Sequence, residues 1–173
     1  MILIKKLLRR KVLVLGLLVL MASAQAQNGD YVARHRLIAA VLSQAYHIPA
    51  SLILAVATVE SSGGCGPAAK VLHNHFGIVG KNYFVNQRGH KSRYKQYSSE
   101  FESYLDFCAM LTRKRFYPKL IHNRDPMAWV KAMSKAHYSE APAEWVSKVS
   151  GVLRTICAQN NQEFLTQRFI AMK

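Results

Sequence analysis

Apolar and polar positions recur along most of the chain at helical spacing. Asp30 supplies an N-cap, and Leu37, Ile38, Val41, Leu42 and Ala45 follow on one face, predicting a helix to about Tyr46. Pro49 breaks that helix and opens a second, from Ala50 to Glu60. Between Leu52 and Val59 only Thr58 is polar, so the second helix is apolar all round and belongs in the middle of the molecule. Ser61-Ser62-Gly63-Gly64 stops it, and Gly66-Pro67 restarts a short helix to about His73.

The pattern changes over residues 76–97, where glycine mixes with Phe76, Ile78, Tyr83, Phe84, Val85, Tyr94 and Tyr97. Asn86-Gln87-Arg88-Gly89 reads as the turn of a hairpin between two short strands. Helical signals then return. Ser99 and Glu102 form a capping box for a helix to about Arg113, and Asp125-Pro126 opens another to about Ala136. Pro142 starts the last, with Trp145, Val146, Val149, Val152, Leu153 and Ile156 on its core face. Residues 161–173 read as a helix end or tail. The expected fold is α+β, mostly α, in one domain over residues 27–160.

The first 26 residues stand apart from this pattern. Lys5, Lys6, Arg9, Arg10 and Lys11 precede an uncharged apolar run, Val12–Ala22, and two small-x-small sites at Ala22-Ser23-Ala24 and Ala24-Gln25-Ala26. That order reads as a secretory signal peptide, and the run falls short of the ~20 residues a membrane span needs. Residues 1–26 hold five of the 24 Lys+Arg and none of the nine acidic residues. The other 147 residues therefore keep 19 basic against 9 acidic side chains, a net +10. A periplasmic or secreted, monomeric protein of that charge suits a polyanionic partner such as a bacterial cell wall. Cys65, Cys108 and Cys157 allow one disulfide in three pairings, or none.

Glu60 is the costly residue. It closes the most apolar helix, on the face of Leu52, Ile53 and Val56. Burial and the negative end of the helix dipole both disfavour its anion, so it is expected to hold its proton near neutrality, as a proton donor to a leaving-group oxygen must. Around it, Gly63–Gly66 allow close backbone approach, and Asn74 offers the donor and acceptor that a sugar acetamido group needs. Phe76, Tyr83, Tyr94 and Tyr97 offer ring faces for pyranose stacking, although Phe76 suits plain core packing equally well.

The stretch Leu54-Ala55-Val56-Ala57-Thr58-Val59-Glu60-Ser61-Ser62, followed by Asn74-His75-Phe76-Gly77-Ile78-Val79-Gly80, resembles glycoside hydrolase family 73. These are the bacterial N-acetylglucosaminidases (mannosyl-glycoprotein endo-beta-N-acetylglucosaminidase-like) of autolysins and flagellar wall hydrolases. Tyr94-Lys95-Gln96-Tyr97-Ser98-Ser99 and Lys135-Ala136-His137-Tyr138-Ser139 continue the likeness in the family's order. The resemblance implies a lysozyme-like fold, with a helical lobe facing a small β-hairpin lobe across a groove. It implies that Glu60 is the general acid, that Asn74, Phe76 and Gly77 border the cleft, and that Tyr138 contacts the substrate or the attacking group. The implied partner is the peptidoglycan glycan strand. Departures are His73 for the first Asn of a pair, Val79 for Lys, Ala141 for a polar cap, and the lack of any Asp or Glu from Ser61 to Ser99.

That last departure removes the hairpin carboxylate, while most glycosidases use two, ~5–5.5 Å apart for retention or ~6.5–9.5 Å for inversion. Glu100, Glu102 and Asp106 occupy cap and solvent-face positions, which leaves Glu140 as the best second carboxylate. The preferred alternative is assistance by the sugar's own 2-acetamido carbonyl, which needs one acid and groups such as Tyr138 and Asn74 to orient the acetamide. A lytic transglycosylase also needs one acid. A non-catalytic wall-binding protein on the same fold, and cleavage between GlcNAc residues of another glycan, complete the readings. No cofactor is expected. His73, His75 and His90 lack a helix-spaced pair or a matching carboxylate, so no metal is expected, and Cys65 lacks a nucleophile's partners. The scattered basic residues and the export signal argue against nucleic acid.

Overall fold

The helix that is apolar all round forms the axis of the molecule. In the computed structural model, which describes residues 30–83 and 92–171 and side chains to residue 162, it runs Ala50–Glu60 (α2) after a first helix over 30–46 (α1). The leader 1–26 and the turn at Asn86–Gly89 lie outside the described residues. Every side chain of α2 from Leu52 to Thr58 is buried. A helix with no polar face is stable only when enclosed, and each buried Leu, Ile or Val contributes about 1.5–3 kcal/mol over its exposed state. The enclosing helices are α4 (Glu100–Thr112), α6 (Pro126–Lys135) and α7 (Pro142–Ala171).

Helix starts follow local chemistry. Ser99 Oγ accepts from Glu102 N–H at 3.3 Å, and Glu102 closes the box on Ser98 N–H at 3.0 Å rather than on the cap residue itself. Asp125 Oδ1 accepts from Met127 N–H at 2.9 Å ahead of Pro126. After α2 the chain reverses through Ser62, Gly63 and Gly64, all at positive φ. Gly64 is required there, because a Cβ would stand 2.9 Å from the Tyr31 ring. Helix α3 (Pro67–Leu72) follows, and His73 ends it in the left-handed conformation.

Two elements differ from the sequence reading. Helix α1 is rotated: Leu37 and Val41 are 75% and 50% exposed and Ala45 is exposed, whereas Tyr31, Val32, His35, Ala39 and Leu42 face inward. Polar Tyr31 and His35 can be buried because each finds partners inside: Tyr31 Oη meets Tyr104 Oη at 2.7 Å, and His35 Nε2 meets Glu100 at 3.0 Å. The single turn α5 (Tyr117–Leu120) was not anticipated; Tyr117 ties it to α1 by donating to the Tyr46 carbonyl at 2.7 Å. On α7, Trp145, Val149, Leu153 and Ile156 are buried as expected, and the helix runs on through the expected tail to Ala171.

The β excursion is small. Val79 pairs with Tyr94 in an antiparallel bridge, extended by Gly80 N–H to Arg93 O (3.0 Å), Lys95 N–H to Ile78 O (2.8 Å) and Gln96 N–H to Lys81 O (3.1 Å). Asn82 Nδ2 donates to the carbonyls of Ser92 and Tyr94 and so straps the two segments together. Among the described residues no helix is long and apolar enough to cross a membrane.

Candidate active site

The C-terminal end of α2 delivers Glu60 to a groove of about 580 Å³ between the helices and the β excursion. Its walls include Phe76, Gly77 and Tyr94 on one side and Tyr138, Ser139 and Glu140 on the other. Glu60 Oε1 accepts a 2.7 Å hydrogen bond from the Trp145 indole N–H on α7, which fixes the carboxyl. Among the described residues Oε2 has no hydrogen-bond partner. Gly77 lies against it: at φ +65° its backbone comes so close that a Cβ would stand 3.7 Å from Glu60 Oε2 and 3.9 Å from Tyr94. A longer side chain there would cover the carboxyl. Burial pushes the Glu60 carboxyl above its ordinary 4.5, against the Trp145 hydrogen bond and the Lys148 charge, which both pull it down.

Tyr138 stands beside this acid. Its hydroxyl donates to the Phe76 carbonyl at 3.3 Å, and its ring packs 5.2 Å from Trp145 and edge-on to Phe107 at 6.2 Å. Burial and the nearby Glu60 charge raise its pKa well above the usual phenol value, so it stays a neutral donor. Phe76 is buried and stacks on Phe107 with centroids 4.0 Å apart, so it serves the core and the groove floor together. Glu140 is exposed on the rim.

Two expected contacts are placed elsewhere. Asn74 is buried, and all four of its amide valences are used. Nδ2 donates to the carbonyls of Ile78 and Lys95, each at 2.8 Å, and Oδ1 accepts from Phe76 N–H (3.3 Å) and Ile78 N–H (3.1 Å). It builds the loop that carries Phe76 and Gly77 and has no valence left for a sugar. Tyr97 is buried too, donating at 2.8 Å to Asp106, which also pairs with Lys95 at 2.6 Å. Asp106 is thus an anchor of the β excursion rather than a solvent-face residue. Glu100 likewise turns toward His35 and His75.

Sequence reasoning missed Trp145 as a site residue, having placed it only in the core. Its signal was an indole N–H on a buried face, which needs an acceptor. Arg93 and Lys114 on the groove wall carried no periodic or motif signal of their own, and His137 and Ser139 were legible only as the flanks of Tyr138 in the family-like motif.

A half-buried acid at the end of a central helix, facing a groove closed by a small β excursion, marks a glycoside hydrolase of lysozyme-like fold. The model of the family described as mannosyl-glycoprotein endo-beta-N-acetylglucosaminidase matches residues 37–158, and the chain belongs to that family. The fold is similar to that of the glycoside hydrolase domain of Salmonella typhimurium FlgJ, at 24% identity and TM-score 0.65, covering 83% of this chain and 96% of that one. It is similar also to the catalytic domain of the autolysin Auto from Listeria monocytogenes (18% identity, TM-score 0.61, 75% and 84% covered). A peptidoglycan hydrolase from Sphingomonas sp. A1 is a further neighbour, at 20% identity and TM-score 0.58, with 83% and 94% covered. No curated protein matches the chain.

Proposed function

We propose that the protein is an exported peptidoglycan hydrolase that cleaves β-1,4 bonds next to N-acetylglucosamine, with Glu60 as general acid. The observation that carries this reading is the Glu60 carboxyl itself: raised in pKa by burial, oriented by Trp145 through one oxygen, and bare on the other oxygen beside Gly77. In the proposed reaction Glu60 gives its proton to the glycosidic oxygen as the bond from that oxygen to the anomeric carbon breaks. The 2-acetamido carbonyl oxygen of the same sugar attacks the anomeric carbon and forms a cyclic oxazolinium. Water then opens this ring, and the Glu60 carboxylate takes the water's proton, which regenerates the acid.

Tyr138, neutral and next to Glu60, orients the acetamide in this scheme. Asn74, whose amide is saturated, contributes only by holding the loop of Phe76 and Gly77. Tyr94 and Phe76 line the groove where a pyranose ring would lie. Glu140 is the second carboxylate on the groove wall, and it belongs to the alternative two-carboxylate route, in which it rather than Glu60 would take the proton of the incoming water. The neighbours from Listeria and Sphingomonas, an autolysin and a peptidoglycan hydrolase, agree with a wall substrate. The basic leader followed by an apolar run supports export to the envelope.

Digestion of purified sacculi followed by mass spectrometry tests the proposal. The wild type releases fragments with reducing-end N-acetylglucosamine, and Glu60→Gln lowers that release by at least about a thousandfold, the scale of losing a general acid with its electrostatic role. Glu60→Gln activity near wild type would remove Glu60 from the mechanism. Anhydro-N-acetylmuramic acid ends would make the enzyme a lytic transglycosylase, and sacculus binding without soluble fragments would make it a wall-binding protein.

A further inference from the structure

Outside the groove, three segments converge on a second cluster of polar groups. His35 on α1 and His75 after α3 have side chains only 4% and 2% exposed, whereas Glu100, the first residue of α4, is half-exposed. His35 Nδ1 lies 2.8 Å from the Tyr31 carbonyl oxygen. A carbonyl can only accept, so Nδ1 carries the proton and the lone pair of the neutral ring is on Nε2. That Nε2 lies 3.0 Å from Glu100 Oε2. His75 Nδ1 lies 2.6 Å from Tyr31 Oη, and its buried Nε2 has no hydrogen-bond partner but stands 3.4 Å from Glu100 Oε1. One atom from each of His35, His75 and Glu100 lies within 4.8 Å of the other two, and where Tyr31 Oη accepts from His75 Nδ1 all three are electron-pair donors.

Electron pairs brought this close repel unless a proton or a metal cation lies between them. We infer that His35 Nε2, His75 Nε2 and the Glu100 carboxylate form a binding site for a zinc-class divalent transition metal, with solvent on the exposed Glu100 side completing the coordination. Zinc bonds of 2.0–2.2 Å in tetrahedral array place neighbouring ligand atoms about 3.3 Å apart. Glu100 offers a different oxygen to each ring, Oε2 at 3.0 Å from His35 and Oε1 at 3.4 Å from His75, and the donors lie within 4.8 Å of one another, so an ion would draw the three side chains slightly together. The outer contacts fit as well. Metal-bound imidazoles hold their second nitrogen on a carbonyl or a similar oxygen, and here Tyr31 supplies both, its carbonyl to His35 and its hydroxyl to His75. Two imidazoles favour zinc, copper or nickel over calcium or magnesium, which prefer all-oxygen sites.

None of the three ligands lines the groove, so this site is separate from the acid at Glu60. It bears on the groove only through position, since His75 is the neighbour of Phe76. The ion would join α1, the 74–78 loop and the start of α4 at one point. The expectation of no metal considered His75 with His73 and His90; the partner the fold provides is His35. A hydrogen bond from a ring to Glu100 is the competing arrangement, and the experiment separates the two cases.

The full chain is stripped with EDTA, titrated with Co(II), and the cobalt displaced with Zn(II). The expected result is one Co(II) per chain with the visible bands of four- or five-coordinate cobalt, and an unfolding temperature that rises with added Zn(II). Glu100→Gln, at a half-exposed position that leaves the fold intact, weakens binding at least about tenfold, as does His35→Gln. Three results would overturn the assignment. One is a wild type without visible cobalt bands, which leaves the cluster as a hydrogen-bonded network without an ion. Another is a thiolate charge-transfer band, which would report Cys65 or Cys157. The third is unchanged binding in both variants.

Discussion

The Trp145–Glu60 hydrogen bond is the smallest unit on which the proposed chemistry depends. An indole N–H 2.7 Å from Oε1 stabilises the carboxylate and at the same time aims the other oxygen into the groove. Trp145→Phe removes the donor and keeps most of the ring. Because that bond lowers the Glu60 pKa, its loss raises it further, and the alkaline limb of the activity profile moves to higher pH. The maximal rate falls by about tenfold as the carboxyl loses its fixed orientation. A pH–rate comparison of wild type and variant checks this; a limb that stays put or moves to lower pH would contradict it. The same raised pKa has a stability consequence. A folded-state value above 4.5 means that the folded chain holds this proton more tightly than the unfolded chain, so the favourable contribution is present below 4.5 and is lost as pH rises through the folded value. Glu60→Gln therefore unfolds at the same or a higher temperature than wild type at neutral pH, even as it stops turnover.

Among the elements, α4 connects stability to the groove. Phe107 is fully buried, stacks on Phe76 at 7° and meets the edge of Tyr138. Phe107→Ala should cost about 3–5 kcal/mol and loosen both residues beside the acid. Phe101→Ala, on the same helix at an exposed position, should change stability by no more than about 0.5 kcal/mol. Chemical denaturation of the two variants measures the contrast, and similar losses would mean that α4 is not packed as described. Most helix starts were legible in the sequence because they are written locally: Asp125-Pro126, Pro142, Gly66-Pro67 and the Ser99–Glu102 box act within one turn. The face of α1 was not. Leu37 and Val41 are the better apolar candidates by type, yet Tyr31 and His35 turn inward, because their partners Tyr104 and Glu100 lie far along the chain and no local rule could supply them. Asn74 was misjudged for a related reason: its composition suits a sugar, but the Ile78 and Lys95 carbonyls reach it first.

At the scale of the whole molecule, the fold creates an environment for one carboxyl. α2 contributes apolar surroundings by being buried along its length, α7 brings Trp145 across to its end, and the loop after α3 lays a side-chain-free Gly77 over the acid. That a carboxyl at Glu60 ends an otherwise apolar, buried helix was readable from the sequence. How its ionisation is balanced was not readable, because Trp145 and Lys148 come from the other end of the chain. The net positive charge suits a polyanionic wall polymer and does not bear on the carboxyl itself. The central claim is that Glu60 is protonated more readily than an ordinary glutamate. Titration of its side-chain carboxyl by carbon-13 NMR, assigned by its loss in Glu60→Gln, tests this directly. A midpoint above 4.5 is expected; a midpoint at or below 4.5 would contradict a carboxyl raised by burial.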